Sequence, residues 1–384
     1  MRTRRPYQQC ARCIMDTSEP DIQFDENGEC NHCKRYDERA RHELFYNESG
    51  RRYLENLADG IKEKQKHKEY DCLIGLSGGV DSTMVAYLVK QLGLRPLAVH
   101  LDNGWDSELA VQNIERILKT LDIDLHTHVV DWEVFKDLHR SFLKASIANS
   151  EIPTDHAILA VLYRVAVQHG IRYIISGGNL VTEAIMPSSW MYDANDYRFI
   201  KSVHKKYGQI KLETFPYFTL PHFIYWTFIK GIRFFPILNY VPFNKKEAIG
   251  LLERELGWRS YGGKHYESIY TRFFQGYILP HKFNIDKRLA HFSTLICSGQ
   301  MTREEAMAEM EHDPYSPGRM EEDKQYVIKK LDLTPEDFAT IMAEPVKTHL
   351  DYASNNLVFH KMPNQLSFIK KIASSRPSLA LDEK

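Results

Sequence analysis

Tyr70 to Leu92 reads YDCLIGLSGGVDSTMVAYLVKQL. Cys72-Leu73-Ile74-Gly75-Leu76 is an apolar run of strand length, and Met84, Val85, Leu88, Val89 and Leu92 then recur at helical spacing. Between the two lies Ser77-Gly78-Gly79-Val80-Asp81-Ser82. Strand, glycine turn and helix in that order make a phosphate cradle. The paired glycines let backbone N–H groups converge with no Cβ in the way, and the start of the helix adds partial positive charge. Ser77 and Ser82 add hydroxyl donors, and Asp81 is placed to hold Mg2+ against the phosphates. The candidate nucleotide-binding residues are thus Ser77, Gly78, Gly79, Val80, Asp81 and Ser82.

No GxxxxGK[ST] loop is present, which excludes an ordinary P-loop kinase or GTPase. SGGVDS instead resembles the pyrophosphate loop of ATP pyrophosphatases. That resemblance implies cleavage of ATP between its α and β phosphates, with AMP left on a substrate oxygen.

Working outward, Pro96–Leu101 reads as a second buried strand that ends at Asp102-Asn103-Gly104-Trp105. Ser107 is an N-cap for the next helix. Leu125–Val130 is a third strand, and a helix follows around Val134–Ile147. Pro153-Thr154-Asp155-His156 leads into a strongly apolar helix, and Arg172–Ser176 is a fourth strand that ends at Gly177-Gly178-Asn179. Strands alternating with helices predict an α/β fold with a doubly wound parallel sheet. Ligands of such sheets bind beyond the carboxyl ends of the strands, and three polar, glycine-containing loops gather there. Asp102, Gly177, Gly178 and Asn179 therefore join the nucleotide-site candidates, with Asp155, His156 and Glu183 as substrate-side candidates. Asp155 and His156 are equally consistent with a helix N-cap.

Upstream, Cys10-Ala-Arg-Cys13 and Cys30-Asn-His-Cys33 have the spacing of a four-thiolate zinc site, with a hairpin turning at Asn27-Gly28 between them. A redox pair and an iron–sulfur cluster are the competing uses of these cysteines. Residues 36–68 are polar and carry one apolar helical stripe, as expected of a connector. The expected organisation is a zinc-ribbon-like module over 1–36, a helical connector over 37–69, the α/β domain over 70–215, and an aromatic-rich, then helical region over 216–384. Thr302–Glu305 and Thr334–Asp337 read as helix starts in that last region.

The chain has 384 residues, 43% hydrophobic and 26% charged, with a formal net charge of −1. It is an ordinary globular composition with no electrostatic footprint for nucleic acid. The basic N-terminus has no apolar core of a secretory signal. Leu220–Leu238 is the most apolar long stretch, but Lys230 and Arg233 interrupt it, so no transmembrane segment is expected and a cytoplasmic location is. This stretch reads as aromatic core or a docking surface, with membrane-surface contact as the lesser alternative.

Tyr261–Arg288, YGGKHYESIYTRFFQGYILPHKFNIDKR, narrows the reading. Taken with SGGVDS, the two CxxC pairs, DNGW, GGNLVTE and PTDHAI, it resembles the N-acetyl sugar amidotransferase family, whose members are WbpG- and PseA-like, over roughly residues 8–315. The resemblance implies conversion of an acetamido group on a diacetamido sugar, nucleotide-linked or related, to an acetamidino group. Such sugars enter lipopolysaccharide O-antigens or flagellar glycans. It implies ATP, Mg2+ and Zn2+ as cofactors. Lys264, His265 and Glu267 are then catalytic candidates beside Asp81, and Lys264 and Arg272 are binders of a sugar carboxylate or diphosphate. His265 reads equally as a core histidine, Glu267 as half of a structural ion pair, and Asp286, Lys287 and Arg288 as a salt-bridge set. No glutaminase is encoded: position 2 is arginine, Cys72 lies in a strand, and Cys297 lacks a GxCxG elbow. Ammonia is therefore expected from a separate glutaminase, a HisH-like subunit with a HisF-like partner, for which Tyr217–Tyr240 is a candidate docking surface. The rival reading is a tRNA-thiolating enzyme of the same superfamily; only Cys72 and Cys297 would be left to carry its sulfur. A non-catalytic nucleotide-binding scaffold comes third.

Overall fold

The structure, a computed structural model, describes residues 6–262 and 266–355. Lys264 and His265 lie outside the described residues.

Helices α1 (Asn31–Glu43) and α2 (Glu48–Gln65) follow the cysteine module. The α/β unit then runs β1 (Cys72–Gly75), α3 (Val80–Gln91), β2 (Pro96–Asp102), α4 (Glu108–Leu121), β3 (Asp124–Val129), α5 (Trp132–Ala145), α6 (Ile152–His169), β4 (Tyr173–Ser176) and the short α7 (Leu180–Glu183). Next come α8 (Tyr197–Tyr207) and α9 (Leu220–Ile224), which continues as a π-helical turn over Tyr225–Ile229. Then follow β5 (Arg233–Pro236) and α10 (Lys245–Leu256). The remainder is helical: α11 (Ile269–Phe273) with a π-helical extension over Phe274–Phe283, α12 (Lys287–Cys297), α13 (Arg303–Met310), α14 (Pro317–Lys330) and α15 (Pro335–Ala343). Full capping boxes start α13 at Thr302/Glu305 and α15 at Thr334/Asp337, as the sequence predicts.

The five strands are all parallel, in the order β3-β2-β1-β4-β5. β5 is not among the expected strands. Its registry with β4, from Tyr173 against Arg233 to Ser176 against Pro236, carries the sheet past the expected boundary at residue 215. Alternate side chains point to opposite faces of a strand, and the two faces have different cores. Cys72, Ile74, Ala98, Ile175 and Phe235 pack with α2, α3 and α10. Leu73, Leu97, Val99, Ile174 and Phe234 pack with α6 and the aromatics Phe218, Phe223 and Trp226. The central strands are thus sandwiched between helical layers, which explains why β1 and most of β2 read as continuous apolar runs, whereas the edge strand β3 (Asp-Leu-His-Thr-His-Val) is largely exposed.

The third core joins the N-terminal module to the C-terminal helices. Cys10, Cys13, Ile14, Met15, Cys30 and Cys33 are buried with Phe142, Phe199, Leu289 and Ala290. Ile14 N donates to Ser293 Oγ on α12, and Arg303 reaches the Cys13 carbonyl. No helix among the described residues is long and apolar enough to cross a membrane.

Candidate active site

The order of strands reverses between β1 and β4, because β1 leads outward to β2 and β3 while β4 leads to β5. Such a switch point opens a crevice beyond the strand ends. The loops that face it there are Ser77–Ser82 after β1 and Gly177–Asn179 after β4. They meet closely: a Cβ on Gly177 would lie 3.2 Å from the Asp81 carbonyl carbon.

The pyrophosphate loop is shaped by its own hydroxyls. Ser77 N donates to Ser82 Oγ at 3.3 Å, Gly79 N to Ser77 Oγ at 3.3 Å, and Thr83 Oγ1 to the Gly79 carbonyl at 2.8 Å. Gly78 has φ +80°, a left-handed conformation, and a Cβ there would meet Tyr261 Oη at 2.9 Å and the Ala110 carbonyl at 3.0 Å. This position therefore requires glycine on both backbone and space grounds. Asp81 stands in the first turn of α3, where N–H groups left unpaired by the helix and its dipole favour anions. The donors and the carboxylate are of the types that hold triphosphate and Mg2+.

The second informative stretch lands on this loop. Trp258 Nε1 and Tyr261 Oη both donate to the Gly78 carbonyl, at 2.8 and 2.6 Å. On the other side, Ser107 N donates to the Glu267 carbonyl at 2.8 Å, and Asp106 pairs with Ser268 in an antiparallel bridge. The Glu267 carboxylate sits against the loop, with Oε1 3.3 Å from where a Gly79 Cβ would be. Asp81 and Glu267 are therefore brought to the same loop.

Other candidates have structural partners. Asp102 closes the DNGW turn by accepting from Gly104 N at 2.9 Å. Asn179 is the N-cap of α7, accepting from Thr182 N and Oγ1 while its amide donates to the Gly177 carbonyl. Gly178 N donates to Ser176 Oγ, and Glu183 ends α7, half-buried. Asp155 is exposed in the first turn of α6. The expectations for His156 and Arg272 are corrected. His156 is fully buried; its Nδ1–H donates to the Ala194 carbonyl and its Nε2 accepts from Phe218 N. That pairing fits only the neutral ring, and burial pushes its pKa down to about 4. Arg272 is buried in a two-point ion pair with Asp323, at 2.7 and 2.8 Å, with Tyr315 also donating to that carboxylate. Neither side chain is presented to a substrate. Asp286 caps α12 and pairs with Arg288, while Lys287 approaches Glu151.

His100 is a site residue that the sequence reading missed. Its Nδ1 is 2.9 Å from the Leu76 carbonyl and its Nε2 is 3.1 Å from Asp106 Oδ2, so it ties the entry of the pyrophosphate loop to the DNGW loop. Both partners only accept, so the doubly protonated ring satisfies both. Burial, the largest influence, lowers its pKa, but Asp106 and the Leu76 carbonyl outweigh that and raise it.

The four cysteines converge. Cys10–Cys33, Cys13–Cys30 and Cys30–Cys33 have Sγ separations of 3.9, 3.7 and 3.7 Å. A tetrahedron with Zn–S bonds of about 2.3 Å has edges of about 3.8 Å, so the four sulfurs fit zinc. All four are fully buried. Cys297 on α12 stands 3.6 Å from Cys33, a neighbour that no local spacing announces.

Two family models match. Residues 53–206 match NAD synthase, and residues 267–366, which run beyond the described part, match "LPS biosynthesis protein WbpG-like, C-terminal domain". No curated protein matches the chain significantly. Among solved structures, the chain is similar to an NMN synthetase from Francisella tularensis (16% identity, TM-score 0.33, covering 75% of this chain and 98% of that one). It is also similar to an NH3-dependent NAD synthetase from Campylobacter jejuni (17% identity, TM-score 0.31, 74% and 97%). A predicted subunit of a tRNA methyltransferase from Methanocaldococcus jannaschii is a further match (15% identity, TM-score 0.28, 47% and 74%). With the parallel sheet and the loop at its switch point, the two family matches, each to its own part of the chain, support a WbpG-like member of the PP-loop superfamily.

Proposed function

We propose that the protein is an ATP-dependent N-acetyl sugar amidotransferase that converts an acetamido to an acetamidino group on a diacetamido sugar destined for a surface polysaccharide. One observation carries this reading. The WbpG-like match begins at Glu267, whose carboxylate rests against Gly79 of the pyrophosphate loop.

The chemistry follows from the amide. Its carbon is a poor electrophile because nitrogen donates into the carbonyl, so its oxygen must first become a leaving group. The amide oxygen attacks the α-phosphorus of ATP, the α–β bond breaks, and pyrophosphate leaves. Ammonia then adds to the adenylated carbon, loses a proton, and AMP departs with the former amide oxygen. Ser77, Ser82 and the first turn of α3 face the leaving pyrophosphate and supply preorganised donors. Asp81 would hold Mg2+, which would supply charge neutralisation at the phosphates. In this reading Glu267 orients the ammonia or takes its proton.

Ammonia comes from a separate glutaminase subunit in this reading. Cys72 is fully buried in β1 and burial pushes its thiol pKa up, while Cys297 lies against Cys33, so neither is presented as a glutaminase nucleophile. Purified protein given ATP, Mg2+, ammonium and diacetamido sugars should release AMP only when a sugar is present. Equally efficient turnover with glutamine alone would overturn the separate-subunit part, and AMP formed with tRNA but with no sugar would overturn the whole.

A further inference from the structure

The helix formed by α9 and its π-helical turn carries large apolar side chains on both faces, interrupted by the exposed His222 and the half-buried Thr227. Its inner face is conventional: Phe223 and Trp226 are buried, and Trp226 stacks on Tyr163 of α6 at 5.0 Å between ring centroids. Ile224, Tyr225, Phe228 and Ile229 form a stripe on the outer face and are exposed, Phe228 by 57% and Ile229 by 73%. A helix that is hydrophobic all round is ordinarily covered, and an exposed apolar cluster of this kind marks an interaction surface.

Charge selects the partner. Residues 214–246 contain no acidic side chain. Lys230 is exposed at the end of the stripe, with its Nζ 5.5 Å from the centre of the Tyr225 ring, and the exposed Arg233 begins β5 three residues later. Arg233 N bonds the carbonyl of Arg172, a third exposed cation at this edge of the sheet. Aromatic and aliphatic side chains beside cations, without acids, are the composition of a helix lying in a lipid–water interface.

We infer that the outer face of Leu220–Ile229, with Lys230 and Arg233, docks the protein on an anionic membrane surface. Phe228 and Ile229 enter the headgroup boundary and the cations meet lipid phosphates. β5 starts at Arg233, so this end of the helix lies at the amino edge of the sheet, opposite the pyrophosphate loop. Docking there leaves the nucleotide crevice facing away from the bilayer. The inference is independent of the reaction proposed above.

Sedimentation of the full-length protein with vesicles tests it. Binding is expected to vesicles of phosphatidylglycerol mixed with phosphatidylcholine, to fall as salt is raised, and to be weak with phosphatidylcholine alone. Phe228→Ser/Ile229→Ser should lower the partition coefficient by more than about tenfold, and Lys230→Glu by roughly fivefold. All four outer side chains are exposed, so unchanged circular dichroism is expected of these variants. No sedimentation of the wild type with either vesicle, or sedimentation that the double substitution leaves unchanged, overturns the inference. So does a change from dimer to monomer caused by the double substitution without lipid, which would give the stripe to a second copy of the chain.

Discussion

Tyr261 Oη donates a 2.6 Å hydrogen bond to the carbonyl of Gly78, 183 residues earlier in the chain. Together with Trp258 Nε1, it fixes the one residue of the pyrophosphate loop that has left-handed backbone geometry. Tyr261→Phe removes one bond of net value about 0.5–1.5 kcal/mol. It should raise the KM for ATP by roughly twofold to tenfold and leave zinc content unchanged. Gly78→Ala should be far worse, because a Cβ meets both Tyr261 and the Ala110 carbonyl. ATP titrations of the two variants check the order.

Asp81 and Glu267 should separate by half-reaction. Asp81→Ala should suppress sugar-dependent pyrophosphate release by ~10²–10³. Glu267→Gln should leave that release largely intact and slow amidine formation by ~10²–10⁴. Isotope exchange between ATP and pyrophosphate, measured beside product formation, distinguishes the two.

Arg272→Met breaks a buried ion pair and strands the Asp323 carboxylate, so a loss of about 3–5 kcal/mol in stability is expected. Arg272→Met/Asp323→Leu should recover most of it. A substrate-binding role would instead leave stability near wild type and raise the sugar KM in both variants. Urea unfolding and sugar titration together decide.

His100 should make stability depend on pH. Its folded pKa is raised, so the stabilisation from its bonds to Asp106 and Leu76 is fully present below the ordinary histidine pKa of about 6.5. It is lost as pH climbs through the raised, folded value. His100→Gln should flatten the decline in urea midpoint on the alkaline side. A wild-type midpoint that rises over that interval while the variant's does not would contradict the assignment.

Cys10→Ser should lose metal and then soluble protein, because the four sulfurs close a buried tetrahedron within the core shared with α12. Metal analysis by mass spectrometry, beside the thermal midpoint with and without chelator, checks this.

Much of this arrangement was legible in the sequence because its signals are local. The β1–loop–α3 unit, the Ser107 cap, the capping boxes at Thr302 and Thr334 and the paired CxxC spacing each lie within a few residues or follow a fixed period. What was hidden depends on distance or on ambiguous pattern. β5 lies in Arg-Phe-Phe-Pro inside a continuous aromatic stretch, where both faces are covered and no alternation marks a strand. Arg272 and His156 have the chemistry of binding groups. Their partners, Asp323 and the backbone of Ala194 and Phe218, are 38 to 62 residues away, and only folding shows that their polar atoms are already engaged. Cys297 reaches Cys33 across 264 residues for the same reason. The placement of Glu267 on the loop required the fold.

The central claim is that the pyrophosphate loop activates an acetamido oxygen. Incubation with ATP, Mg2+, ammonium and a diacetamido sugar labelled with 18O in its acetyl carbonyl tests it most directly. The account predicts 18O in the AMP phosphate and a sugar product lighter by the exchange of the labelled oxygen for NH. AMP that carries no label, or a sugar whose acetyl oxygen is retained, would contradict it.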